Sequence, residues 1–139
     1  MFGAFIVMGK TWPVHVLGHS MEPALEDGSM VEATEAGRIA FGDIIIFKDS
    51  ADGKPDIKRV VALPWQAVEI ANSRLLVDSK DCGPAEAKGR AKWELWKGEY
   101  FVMGDNQKDS RDSRDFGPVK ASQIIGKVLA PANAKTPSG

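Results

Sequence analysis

The first place where this chain could do chemistry is a serine set between a histidine and a methionine, in Gly18-His19-Ser20-Met21-Glu22-Pro23. A serine hydroxyl becomes a nucleophile when a base takes its proton, and imidazole is the most frequent such base. The spacing speaks against both histidines. Adjacent side chains of an extended segment point to opposite faces, so His19 points away from the side Ser20 uses, and His15, five residues off, falls on the opposite face as well. Both read as partly exposed strand residues. A lysine is the other candidate base, provided that it is desolvated enough to lose its proton. In Asp56-Ile57-Lys58-Arg59-Val60-Val61-Ala62-Leu63 a period of two sets Lys58 on one face with Val60 and Ala62. Arg59 takes the other face with Ile57 and Val61. Lys58 is therefore the cation on a small apolar face, although many strands carry one snorkelling lysine.

A third constellation runs from Gly104-Asp105-Asn106 through Ser110-Arg111-Asp112-Ser113-Arg114-Asp115 to Phe116-Gly117-Pro118-Val119. Most such charged runs are solvated loops. This one follows an apolar piece, Tyr100–Met103, and ends in residues that can anchor it. Its Asp and Arg residues stand at a spacing suited to a charge-assisted pair. A loop stiffened in that way can hold one hydroxyl, such as that of Ser110, against a distant amine.

The elements that must position these residues are short. Pieces rich in β-branched residues are Val14–Leu17, Met30–Ala33, Ile44–Lys48, Ile57–Leu63, Ala67–Ile70, Arg74–Asp78, Tyr100–Met103 and Ile124–Ala130, with turn signals between them. Ala67–Asp78 reads as a hairpin turning at Asn72 and Ser73. One stretch, Ala85–Trp96, reads as helical, because Pro84 opens it as a first helical residue would, although Gly89 weakens it. The sum is a mainly β, compact antiparallel fold with few helical residues. The four tryptophans, Trp12, Trp65, Trp93 and Trp96, read as core or rim packing; if any faces a membrane or a partner, the pair Trp93 and Trp96, three apart, is the candidate.

Composition limits the rest. The 139 residues suffice for one domain with a real core, and 18 Lys plus Arg against 19 Asp plus Glu leave no basic footprint for nucleic acid. A single cysteine, Cys82, excludes an internal disulfide, and two scattered histidines provide no metal-ligand set, so no metal or cofactor is expected. The chain opens on an apolar run, Met1–Gly9, which is less than half of the about 20 residues needed to span a bilayer. It reads either as a first strand or as the stump of a membrane span. The tail 131–139 reads as disordered.

Four boxes bring these pieces together: Gly18-His19-Ser20-Met21-Glu22-Pro23-Ala24-Leu25 with Asp27-Gly28, Gly42-Asp43-Ile44-Ile45-Ile46-Phe47, Ile57-Lys58-Arg59-Val60-Val61-Ala62-Leu63-Pro64, and Gly104-Asp105-Asn106 through Asp112-Ser113-Arg114 to Gly117-Pro118-Val119. In this order they resemble the type I signal peptidases, membrane-associated Ser/Lys endopeptidases that remove signal peptides from exported precursors. The resemblance implies Ser20 as nucleophile, Lys58 as general base, Ser110 as the hydroxyl that orients the lysine, and Asp112 with Arg114 as a supporting ion pair. It implies that the backbone N–H of Ser20 forms part of the oxyanion hole. The position two before the nucleophile, where some members carry a second donor, is Gly18. Met21, Leu25 and Ile57 match positions lining a shallow apolar pocket that takes an extended peptide with small residues before the cut. The expected organisation is an apolar segment over 1–13, a catalytic domain over 14–130 and the tail, with an extracytoplasmic, membrane-associated active site; no full membrane span is visible in the chain, so a soluble protein remains the other expectation.

The chain departs from the family pattern at Trp65-Gln66, where Gly-Asp is common, and at Gln107, where Arg is common. It also lacks a large inserted β-domain between the last two boxes. Three other readings compete: a maturase dedicated to one client, a self-cleaving Ser/Lys repressor, and an inactive module that binds extended peptides by strand addition. The repressor needs a DNA-binding module for which the 19 residues before Ser20 leave no room. The inactive module would have lost its serine or lysine, and both are present.

Overall fold

The computed structural model describes residues 10–129; the apolar start 1–9 and the tail 131–139 lie outside the described residues. Short β-branched pieces satisfy their backbone groups only by pairing with one another. Here they do so as β1 Thr11–His15, β2 Met30–Thr34, β3 Ile44–Lys48, β4 Pro55–Ala62, β5 Ala67–Ala71, β6 Arg74–Val77, β7 Lys80–Pro84, β8 Lys92–Glu94, β9 Glu99–Met103, β10 Val119–Lys120 and β11 Ile124–Val128. Every pairing among them is antiparallel. The larger sheet runs β1-β2-β11-β3-β4-β9-β10 and the smaller runs β7-β6-β5-β8. Among the described residues helical structure amounts to single turns, of which α1, Ser113–Phe116, is one. This is the mainly antiparallel β-fold that the pattern of short pieces predicts.

Alternation along β9 divides the core between two faces. Phe101 and Met103 turn toward the smaller sheet, packing with Val68, Ile70, Leu75, Val77 and Trp93. Val102 faces the other way, with Ile45, Phe47, Val60 and Val119. The rings of Trp93 and Phe101 lie 4.6 Å apart and join the two sheets. Strands β4 and β9 thus contribute to both clusters and β3 to one, and the side chains they carry beside the cleft inherit that rigidity.

The β5–β6 hairpin turns at Asn72 and Ser73, both with positive φ, as a two-residue hairpin connection requires. The helix expected over Ala85–Trp96 is absent. The Ala85 N–H instead donates to the Ser73 carbonyl, Gly89 takes φ 103°, and Lys92–Glu94 pairs with β5. Burying Trp93 against Phe101 requires an extended segment at the edge of the smaller sheet, and that packing overrides the local helix signal. The core reading of the tryptophans holds for Trp93, and the candidate surface pair changes. Trp93 is buried, and the exposed aromatic pair is Trp65 with Trp96, their ring centroids 6.2 Å apart. Strand β1 begins at Thr11, so Thr11–Pro13 belong to the sheet rather than to a segment before it.

Candidate active site

Lys58 sits in the middle of β4, paired with Ile45 of β3, and its side chain is only 4% exposed. Its ammonium donates to Ser20 Oγ at 2.9 Å and to Asp56 Oδ1 at 2.9 Å. Ser20 lies in the turn that follows β1, on a loop that continues to β2. Two bonds from Asn106 hold that turn: its backbone N–H donates to the Ser20 carbonyl and its side-chain Nδ2 to the His19 carbonyl. The Gly18 N–H donates to Asp27. The Ser20 N–H donates to no protein acceptor among the described residues, which leaves it free to meet an oxygen in the cleft.

The four sequence boxes meet around this pair. Arg59, on the face of β4 opposite Lys58, makes a bidentate bond with Asp105 and donates to the Gly42 carbonyl. The hydrogen bonds to Asp105 hold the guanidinium above its ordinary range, against the cost of partial burial. Asp112 is fully buried and accepts from Arg114 Nε, Arg114 Nη2, the Gly104 N–H and the Ser110 hydroxyl. Burial penalises its charge, but the bonds from Arg114, Gly104 and Ser110 together hold its carboxyl below the usual carboxylate range. Asp112 also caps α1, and Asp115 returns the bond to the Asp112 N–H. The loop 85–91 braces this unit from outside: the Lys88 ammonium contacts the Ser110 carbonyl and Asp115.

Gly104 is the pivot of the arrangement. A Cβ there would stand 2.2 Å from Ser110 Oγ and 2.6 Å from the Ser20 carbonyl oxygen. Only a glycine lets the two loops close this tightly.

Residues separated widely in sequence, Ser20, Lys58, Ser110, Asp112 and Arg114, therefore come together. Their bonding differs from the expectation at one point. The Ser110 hydroxyl, expected on the lysine, donates to Asp112 at 2.7 Å, and no hydrogen bond joins it to Lys58 among the described residues. The second partner of Lys58 is Asp56, which the sequence reading left out. Its signal was available: Asp56 is two residues before Lys58 and shares its face by alternation.

The histidines stand apart from this chemistry. His19 turns its Nδ1 to Glu22 at 3.0 Å, and that hydrogen bond holds its imidazole above the usual histidine range. His15 lies on the wall of an apolar cleft with Val14, Leu17, Ile46 and Ile57, next to the mouth where Ser20 and Lys58 are reached. Of the three expected pocket residues, Ile57 lines this cleft. Met21 is buried beneath the loop and Leu25 caps a turn with it, the Leu25 N–H donating to the Met21 carbonyl. Neither is on the cleft wall, because the turn 19–25 folds Met21 inward.

A family model described as signal peptidase, peptidase S26, matches residues 1–132. Signal peptidase IB of Staphylococcus aureus is 31% identical over an alignment covering 91% of this chain and 78% of that protein. Signal peptidase I U of Bacillus subtilis is also 31% identical, over 82% of this chain and 71% of its own. The crystal structure of a signal peptidase I from Enterococcus faecalis superposes with a TM-score of 0.56 at 26% identity, covering 68% of this chain and 99% of that one.

Proposed function

As a member of the signal peptidase family, peptidase S26, the chain is a serine endopeptidase that removes signal peptides, and we propose that Ser20 is its nucleophile and Lys58 its general base. The observation that carries this assignment is the 2.9 Å contact between Lys58 Nζ and Ser20 Oγ, made by a lysine with almost no solvent contact. Lysine is a base only after losing its proton, so the rate rises with pH along an acidic limb. Neutral Lys58 takes the Ser20 proton as Oγ attacks the scissile carbonyl. The free N–H of Ser20 meets the oxyanion. Lys58 then returns the proton to the leaving amine as the C–N bond breaks. Water, activated by the same amine, releases the acyl group from Ser20. Asp112 and Arg114 support this geometry without touching the substrate.

The substrate enters as an extended segment over the cleft lined by Val14, Leu17, Ile46 and Ile57. The cleft is mainly apolar, and family resemblance supports small side chains at the first and third positions before the cut. Processing takes place at the membrane surface, on the extracytoplasmic side where signal peptides emerge; family resemblance supports this placement. Among the described residues no helix is long and apolar enough to cross a membrane.

The test is cleavage of a peptide with Ala at both positions before the cut by the wild type, Ser20→Ala and Lys58→Ala. Both variants are expected to lose at least about 10³-fold in kcat/KM, the scale of a lost nucleophile or base. Cleavage undiminished in either variant would contradict the assignment.

A further inference from the structure

We propose that Asp56 is a positioning residue for Lys58: its carboxylate orients the lysine and stabilises the ammonium that forms when Ser20 attacks. This rests on the Ser20 and Lys58 assignment above.

The geometry is a line of three groups, Ser20 Oγ, Lys58 Nζ and Asp56 Oδ1, with 2.9 Å at each contact. Asp56 and Lys58 share one face of β4 by alternation, so the backbone sets them side by side. The carboxylate is itself fixed, because its Oδ1 also accepts the Ile57 N–H at 2.8 Å. A neutral amine has two N–H bonds and one lone pair. Holding one N–H on Asp56 restricts the rotation of the amine and leaves the lone pair for the Ser20 hydroxyl.

The proton balance is simple. The Ser20 proton moves to Lys58 Nζ as the Oγ–C bond forms, and the resulting ammonium lies against the Asp56 carboxylate. The same proton leaves with the departing amine when the peptide C–N bond breaks. Asp56 takes no proton at any step. Among the described residues Asp56 is the one carboxylate in ion-pair contact with Lys58. Ser110 is engaged by Asp112.

Other charges face this cleft from the neighbouring elements. Asp49 follows β3, but Arg111 already pairs with it. Asp52 and Lys54 stand on the turn before β4, Asp109 on the loop before Ser110, and His19 beside the nucleophile. None of these is within ion-pair distance of Lys58.

The carboxylate acts on the rate through the transition state: it stabilises the ammonium that forms on Lys58 as Ser20 attacks, which raises kcat.

The experiment is kcat and KM for the wild type, Asp56→Asn and Asp56→Glu, with the same peptide substrate. In Asp56→Asn kcat is expected to fall about tenfold, the difference between a charge-assisted and a neutral hydrogen bond, with KM unchanged. Asp56→Glu is expected to restore most of kcat. Should Asp56→Asn fail to fold, Asp56→Ser, which keeps a small acceptor, is read in the same way. A kcat that stays at the wild-type value in the uncharged variant, or a loss confined to KM, overturns the proposal. Ser20→Ala and Lys58→Ala, measured alongside, separate the two ideas. Cleavage by either defeats the dyad assignment, whereas inactive dyad variants with an unchanged Asp56→Asn kcat defeat only the role of Asp56.

Discussion

On one side of the Ser20–Lys58 pair, Asp112 and Arg114 form an ion pair with almost no solvent contact, and Asp112 also caps α1 and receives the Gly104 N–H. On the other side, the loop carrying Ser20 is tied by His19 to Glu22 and by Gly18 to Asp27, all at the exposed surface. Buried, multiply bonded charges hold their geometry over the neutral pH range and at ordinary salt, whereas exposed pairs are screened and contribute little. The loop 104–116 is therefore a fixed frame. The Ser20 loop is held by the buried Met21 and by what that frame offers it, the bonds from Asn106 to the carbonyls of His19 and Ser20.

The point where the two loops touch is where the contrast is most easily broken. In Gly104→Ala the new Cβ meets the Ser20 carbonyl at 2.6 Å, and a backbone atom cannot rotate away as a side chain can. The loops must separate, and kcat/KM in the peptide assay is expected to drop about 10²-fold, the scale of a misplacement near 1 Å. Destroying the frame from within affects the whole fold. Arg114→Met leaves a buried carboxylate without its cation and is expected to lower stability by about 3–5 kcal/mol in urea unfolding.

The exposed tie gives the smallest effect, and one that depends on pH. The Glu22 hydrogen bond raises the folded value for His19, so its stabilisation is fully present below the unfolded histidine value, about 6.5. It is lost as pH rises through the higher folded value. Glu22→Gln is therefore expected to lower the thermal midpoint slightly at pH values below about 6 and to match the wild type in mildly alkaline buffer. Added salt is expected to shrink the difference.

Sequence pattern reached most of the fold because most strands carry their own signature. The pieces at Ile44–Lys48 and Tyr100–Met103 are rich in β-branched or aromatic residues, and Arg74–Val77 is mostly apolar and follows the turn at Asn72 and Ser73. Strand β7, Lys80–Pro84, is polar and largely exposed at a sheet edge, so no alternation marks it. Strand β8 has three residues and exists because Trp93 packs on Phe101, a contact that no local window contains.

The site was legible in the same uneven way. Lys58 stood out through period-two alternation, and that rule, carried two residues back, reaches Asp56 as well. The bond of Arg59 to Asp105 spans 46 residues, so its partner could not be read from spacing. The hydroxyl of Ser110 was expected on the lysine because the resemblance implies it. Its donation to Asp112 depends on how the loop folds around a buried carboxylate, which the sequence order does not specify.

The central claim is that Ser20 is the nucleophile that Lys58 activates. Its most direct measurement is labelling with a peptide diphenyl phosphonate ending in alanine, followed by peptide mapping. The account expects one phosphonyl group on the peptide containing Ser20, strongly slowed labelling in Lys58→Ala and none in Ser20→Ala. A label on Ser110, Ser113 or any other residue, or equal labelling of Ser20→Ala, would contradict it.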